Sequence, residues 1–146
     1  MIPLSRRSLF AIAAVVDIAL HARPMPVAAR ALAERHNLPP RHLETVLQAL
    51  VRAGILKGTR GPRGGYELAR ERRRITVADI LRAAGGAADE PAPSPSPLLE
   101  DAVLPILTEA TESCLAALDR ITVEDLCRRA APQSEPGNAH IHDIGL

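Results

Sequence analysis

Residues 40–69 constrain the fold of this chain more than any other stretch. Pro40 suits the first position of a helix, because its fixed φ fits and its missing N–H is one that a helix start leaves unbonded anyway. From Arg41 onward the apolar residues Leu43, Val46, Leu47, Leu50 and Val51 recur at i, i+3, i+4, i+7 and i+8, the stripe of a helix lying on a core. The opposite face carries Arg41, His42, Thr45, Gln48 and Arg52, and Gly54 ends the helix. Two short β runs follow at once, Ile55–Thr59 and Tyr66–Ala69, separated by Arg60-Gly61-Pro62-Arg63-Gly64-Gly65. Three glycines and a proline between strands predict a hairpin turn. A helix feeding directly into a hairpin predicts a mainly α chain with a small β-hairpin wing.

The residues upstream complete a motif. After Pro24 and Pro26, Ala28–His36 reads as a short Ala-rich helix, and Asn37–Pro40 as a tight turn into the next one. Two helices joined by a four-residue turn form a helix-turn-helix. Phe10 and Tyr66 are the only aromatics, so the core is aliphatic and the stacking platforms of most single-strand and RNA binders are missing. A reader of duplex DNA needs no such platform. Residues 1–85 carry 15 Lys/Arg against 6 Asp/Glu, and residues 86–146 carry 3 against 11, so the halves hold +9 and −8 and sum to +1. The basic half is suited to a polyanion. Glycines in the wing could bring backbone N–H groups against phosphates, and Arg60 or Arg63 could enter a narrow minor groove. The loop lacks the GKS/T ending of a nucleotide-binding P-loop.

Ser5-Arg6-Arg7-Ser8-Leu9-Phe10 and the apolar run after it resemble a twin-arginine export signal. Asp17 interrupts that run far short of the roughly 20 residues a membrane span needs, so Leu9–Leu20 reads better as a helix buried nearly all round. Neither a membrane nor export is expected; a reducing cytoplasm is. Further along, Thr76 and Asp79 are spaced as a capping box opening a helix in Ile75–Leu81, and Ile121-Thr122-Val123-Glu124-Asp125-Leu126 is a near copy, read as a second, separate helix start. Gly85–Pro97 holds four prolines and reads as a linker. Beyond it Val103, Leu107, Ala110, Cys114, Ala117 and Ile121 are spaced 4-3-4-3-4, a heptad seam about three heptads long that predicts a dimerisation helix. The expected organisation is a winged helix-turn-helix domain over 1–85, a linker over 86–97, dimerisation helices over 98–131 and a disordered tail over 132–146. His140, His142 and Asp143 in that tail form at most a weak, incidental metal site.

Cys114 and Cys127 are too few and too far apart for a disulfide framework or a CxxC metal knuckle. No Ser/His/Asp set, HExxH motif or clustered carboxylate pair is present, so catalysis is not expected.

Taken together, Ala33-Glu34-Arg35 with its turn, Leu43-Glu44, Leu50 through Gly54-Ile55-Leu56, the Arg60–Tyr66 wing, Ile75-Thr76-Val77 with Asp79-Ile80, and Ile121-Thr122-Val123 with Leu126 resemble the Rrf2 family of winged-helix transcriptional regulators. The resemblance spans about residues 5–131. It implies a homodimer that binds double-stranded DNA at a near-palindromic operator, with repression the commoner outcome, and half-sites about 34 Å apart or a multiple of that. It further implies that Pro40, Arg41, His42, Glu44 and Thr45 face the major groove, that Arg60, Gly61, Arg63, Gly64 and Gly65 lie on the backbone or minor groove, and that Arg6 and Arg7 approach phosphates. Relatives often place hydroxyl residues where Pro39, Pro40 and Arg41 stand here, so the resemblance does not carry over an operator sequence. Arg41 could grip a guanine and Glu44 could accept from a cytosine amine, although a salt bridge within the fold would also explain Glu44. Cluster-binding relatives carry three cysteines in the loop before the dimer helix, and this loop has none, so no cofactor of that type is expected, while an unusual site with histidine or acidic ligands, which relatives can also use, stays open. Nothing in the sequence identifies an inducing ligand. Two alternatives stay open: a dimeric regulatory or interaction module with weak or lost DNA binding, and a redox-responsive regulator using Cys114.

Overall fold

The computed structural model describes residues 5–85 and 96–130. Most of the expected linker, and the expected tail with His140, His142 and Asp143, lie outside the described residues.

Helix α1 spans Arg6–His21 and is capped by Ser5, whose hydroxyl accepts from the Ser8 N–H at 3.2 Å. Its inner face, Ser8, Ala11, Ala14, Val15, Asp17 and Ile18, is buried against the helices that follow, and its alanines let neighbouring backbones come close. The expectation of near-complete burial does not hold. Leu9 and Leu20 are exposed, and with Ala13 and Val16 they form an apolar stripe on the outer face, because the fold covers α1 from one side only.

Helix α2 (Ala29–His36) ends at Asn37, which adopts the left-handed conformation while Leu38 donates its N–H to the Ala33 carbonyl at 3.0 Å. Helix α3 (Pro40–Arg52) follows with proline in its first turn, as its sequence predicts. Leu43, Val46, Leu47 and Leu50 are buried as expected, whereas Val51 is exposed toward the hairpin and Ala49 takes its place in the core. The helix stops in a Schellman motif: Gly54 has φ +76°, its N–H bonds Val51, and the Ile55 N–H bonds Leu50.

Strands β1 (Leu56–Thr59) and β2 (Gly65–Leu68) pair antiparallel, Leu56 opposite Leu68 and Thr59 opposite Gly65. A lone two-stranded hairpin is marginal in water. Here Val27, just before α2, exchanges two backbone hydrogen bonds with Tyr66 at 2.8 and 2.9 Å, and buried Ile55 and Leu56 anchor the root.

Helix α4 (Val77–Gly85) begins with the expected capping box: the Asp79 N–H bonds the Thr76 hydroxyl, and the Thr76 N–H bonds the Asp79 carboxylate, both at 3.0 Å. Ser96 caps the next helical segment, which already includes Pro97 and runs through a π-helical turn (Leu99–Val103) into α5 (Leu104–Leu118). A last helix, α6, covers residues 123–130 behind the Thr122/Asp125 capping box.

The two capping boxes, expected to be separate helix starts, face each other. Val77 donates to the Ile121 carbonyl and Val123 to the Ile75 carbonyl, both at 2.8 Å, so Thr76 and Thr122 sit in an antiparallel bridge. Val123 and Cys127 are then buried in the same apolar cluster as α1, α3 and the hairpin root. Residues 122–130, expected among the dimerisation helices, therefore also pack on the N-terminal head. Among the described residues no helix is long and apolar enough to cross a membrane.

Candidate nucleic-acid interface

The turn after α2 and the exposed edge of α3 present Pro40, Arg41, His42, Glu44 and Thr45 together on one surface. Thr45 returns its hydroxyl to the Arg41 carbonyl at 3.2 Å, a local, exposed bond that can be exchanged for an external partner. Among the described residues no ion pair reaches Glu44, so the expectation of an internal salt bridge for it is not met. Glu44 is exposed, as Arg41 is.

The wing stands beside this face with Arg60, Gly61, Pro62 and Arg63 exposed at its tip. Gly61 has φ +110°, a conformation that glycine adopts freely. Gly64 and Gly65 are glycines for a different reason from the one expected. A Cβ on Gly64 would collide with the Thr59 carbonyl, and one on Gly65 with the Val27 carbonyl. The Gly64 N–H is spent on the Gly61 carbonyl at 2.9 Å, so it is not offered to a phosphate. Both residues shape the wing from inside.

Arg6 is exposed at the first turn of α1, whereas Arg7 is half-buried. The basic half of the chain is not one uniform surface. Arg70, Arg72, Arg73 and Arg82 lie near the hairpin base and α4, where they pair with Asp79, Glu124, Glu71 and Asp119. Two of those acids belong to the acidic half, so part of the charge asymmetry is neutralised inside the fold. Arg41, Arg52, Arg60 and Arg63 form no ion pair among the described residues.

The start of α3 is held in place by a network that the sequence signalled only through one misplaced charge. Asp17, buried on α1, accepts from Arg35 Nε and Nη2 at 2.8 and 2.6 Å and from His36 Nε2 at 2.6 Å, while His21 Nδ1 lies 3.2 Å away. Burial works to raise the Asp17 pKa, but the bonds from Arg35 and His36 and the Arg35 charge outweigh it and hold the carboxyl below its ordinary value. Arg35 and His36 are the last residues before the turn into α3. Asp17 thus fixes the start of α3 to the body of the protein.

Of the expected dimer seam, Val103, Leu107, Ala110, Cys114 and Ala117 lie on the helical arm, and Ile121 does not: α5 ends at Leu118 and Ile121 sits in the bridge to α4. Cys114 is half-buried with Thr111, Leu115 and Leu118, the face α5 lays on its own head near α4. The remaining surface of the arm exposes Leu98, Val103, Leu104, Ile106 and Leu107. Cys127 is buried, and burial raises its thiol pKa against the opposing pull of Arg72. Among the described residues no group of three or more His, Cys, Asp and Glu side chains is placed to hold a metal ion.

Comparison with known proteins matches residues 4–129 to the family described as Rrf2, iron-dependent transcriptional regulator. A Synechocystis protein named as an HTH-type transcriptional regulator is 37% identical over 127 residues, covering 84% of this chain and 86% of that one. Protein rrf2 of Nitratidesulfovibrio vulgaris is 30% identical over 133 residues, covering 88% and 89%. Among solved structures, T. potens IscR superposes with a TM-score of 0.67 at 31% identity over 87% of each chain. CymR of B. subtilis does so with a TM-score of 0.66 at 27% identity, over 88% of this chain and 98% of that one. With its helix-turn-helix, its glycine-shaped wing and its paired capping boxes, the chain belongs to the Rrf2 family of winged-helix transcriptional regulators.

Proposed function

We propose that this protein binds double-stranded DNA as a homodimer at a near-palindromic operator and represses transcription, with α3 in the major groove and the wing on the flanking backbone. The observation that carries this reading is the gathering of Arg41, Arg52, Arg60 and Arg63 on one side of α3 and the wing without acidic partners, while the arginines at the hairpin base are paired. Phosphates are the partners such a surface lacks. Arg41 is suited to a guanine edge and Glu44 to a cytosine amine, each contributing about 1–3 kcal/mol of discrimination. Arg6 reaches phosphate from the first turn of α1.

The homodimer is supported by two uncovered apolar surfaces, the arm with Val103, Ile106 and Leu107 and the outer stripe of α1 from Leu9 to Leu20. The cofactor reading departs from the family description. An iron–sulfur cluster is held by thiolates, the chain has two cysteines, and one of them is sealed in the core. These donors do not fit the group, and we propose regulation without a three-cysteine cluster. A protein with this task works in the cytoplasm, where the DNA is.

Duplexes drawn from the protein's own upstream region test this directly. Affinity should fall steeply with salt through counterion release. Arg60→Ala should weaken all duplexes about equally, and Arg41→Ala should flatten preference at one base position. Binding that ignores salt, or absence of binding to any upstream duplex, would remove the DNA reading. Purified protein should show no visible-range chromophore.

A further inference from the structure

Four residues along α3, Arg41, Thr45, Gln48 and Arg52, follow one another at i, i+4, i+7 and i+11 and lie on one line of the helix surface. Its first half faces outward at the turn. Its second half borders a groove of about 680 Å³ between α3 and the wing, lined by Gln48, Val51 and Arg52 on one side and by Gly58, Thr59, Arg60, Gly65 and Tyr66 on the other.

The lining contains two guanidiniums, an amide and two hydroxyls and no carboxylate, although Glu67 stands on the neighbouring strand position, where it pairs with Lys57 instead. Neither Arg52 nor Arg60 has an ion pair among the described residues, and both are exposed. Gly58 forms part of the floor opposite Tyr66. The hairpin does not require glycine there: a Cβ would meet the Tyr66 ring at an ordinary 3.7 Å, and φ is not in the left-handed region. The missing side chain keeps the groove open rather than relieving a clash.

We infer that this groove seats one DNA backbone phosphate, with Arg52 and Arg60 as opposed cationic walls and Gln48 as a neutral donor. The inference rests on the DNA-binding reading above and adds to it Gln48 and one defined seat shared by Arg52 and Arg60. A helix in the major groove and a wing on the adjoining backbone leave a strand of the duplex crossing between them, and a phosphodiester is the group on that strand that two guanidiniums and hydrogen-bond donors complement. Arg52 then contributes affinity and register without reading sequence.

The test uses the full chain and a duplex recovered by selection from a random pool. Arg52→Gln should weaken every duplex roughly tenfold, as expected for one charge-assisted bond, and make log K against log salt shallower by about 0.9. Base preference and melting temperature should stay as in the wild type. Arg52→Lys should restore the slope. Gly58→Val, which suits a strand but fills the floor, should weaken duplexes uniformly with the fold intact. A methylphosphonate at one backbone position per half-site should weaken the wild type and cost Arg52→Gln clearly less, because only Arg60 and Gln48 then remain on that phosphate. If wild type binds and Arg52→Gln keeps its slope, or shifts base preference, or pays every methylphosphonate penalty in full, the seat is wrong while the DNA reading stands. If wild type binds no duplex, both fall together.

Discussion

Asp17 shows how a single side chain can set the position of a reading head. A carboxylate in an apolar helix is tolerated only with partners, and it finds them in Arg35 and His36, at the last turn of α2. Asp17→Asn should destabilise the fold by about 2 kcal/mol at neutral pH, the scale of a hydrogen bond to a charged group, as read from the urea midpoint. Because the folded pKa lies below the unfolded value near 4, the contribution of Asp17 is present above that value and is lost as pH falls through the folded one. Wild type should therefore lose stability in acid below about pH 4, and Asp17→Asn should have a flatter acid limb; parallel acid limbs would contradict this account. Gly65 is a second decisive residue. Its Cβ position is occupied by the Val27 backbone, which cannot swing aside, so Gly65→Ala should cost about 3 kcal/mol, seen in thermal unfolding.

Among the elements, the hairpin and the arm depend on opposite things. The wing is short, yet it is held by Val27 on one edge and by Ile55 and Leu56 at its root, so its tip can carry function without carrying the fold. The arm has its helix but leaves apolar side chains uncovered, Ile106 more than Val103 or Leu107 of the expected seam. Leu107→Glu should give a monomer by sedimentation equilibrium; a dimer in that variant would place the interface elsewhere. Thr76 caps α4 and also donates to Asp119 at 3.0 Å, which in turn accepts from Arg82. Thr76→Ala should lower stability by about 1 kcal/mol through the lost cap.

At the scale of the molecule, the two halves of opposite charge are also two halves of one core. Arg72 pairs with Glu124 and Arg82 with Asp119, the backbone bridge joins Ile75 to Val123, and Val123 is fully buried beside residues of α1 and α3. Val123→Ala should cost the head about 2 kcal/mol by leaving a cavity, even in a monomeric Leu107→Glu background. If that substitution changed dimerisation and not unfolding, residues 122–130 would belong to the arm after all.

Local physics reaches a long way in this chain. Proline at the start of α3, glycine at its end, the apolar period between them, and two capping boxes each act within a few residues, so helices, turn and wing are legible from the residues alone, as is the exposed face with Arg41, His42 and Thr45. What stays hidden depends on which distant segments meet. The sequence marks Asp17 as a misplaced charge but cannot say that Arg35 and His36, 18 and 19 positions on, arrive to bond it. It presents the two capping boxes as copies without revealing that they pair, and it extends a heptad seam to Ile121 because spacing carries no sign of where α5 stops. Gly64 and Gly65 look like an opening in the wing until Thr59 and Val27 are seen to fill the space beside them. Periodicity and capping are local and determine the elements; burial, ion pairing and steric exclusion are decided by contacts between elements, and only the tertiary structure supplies those.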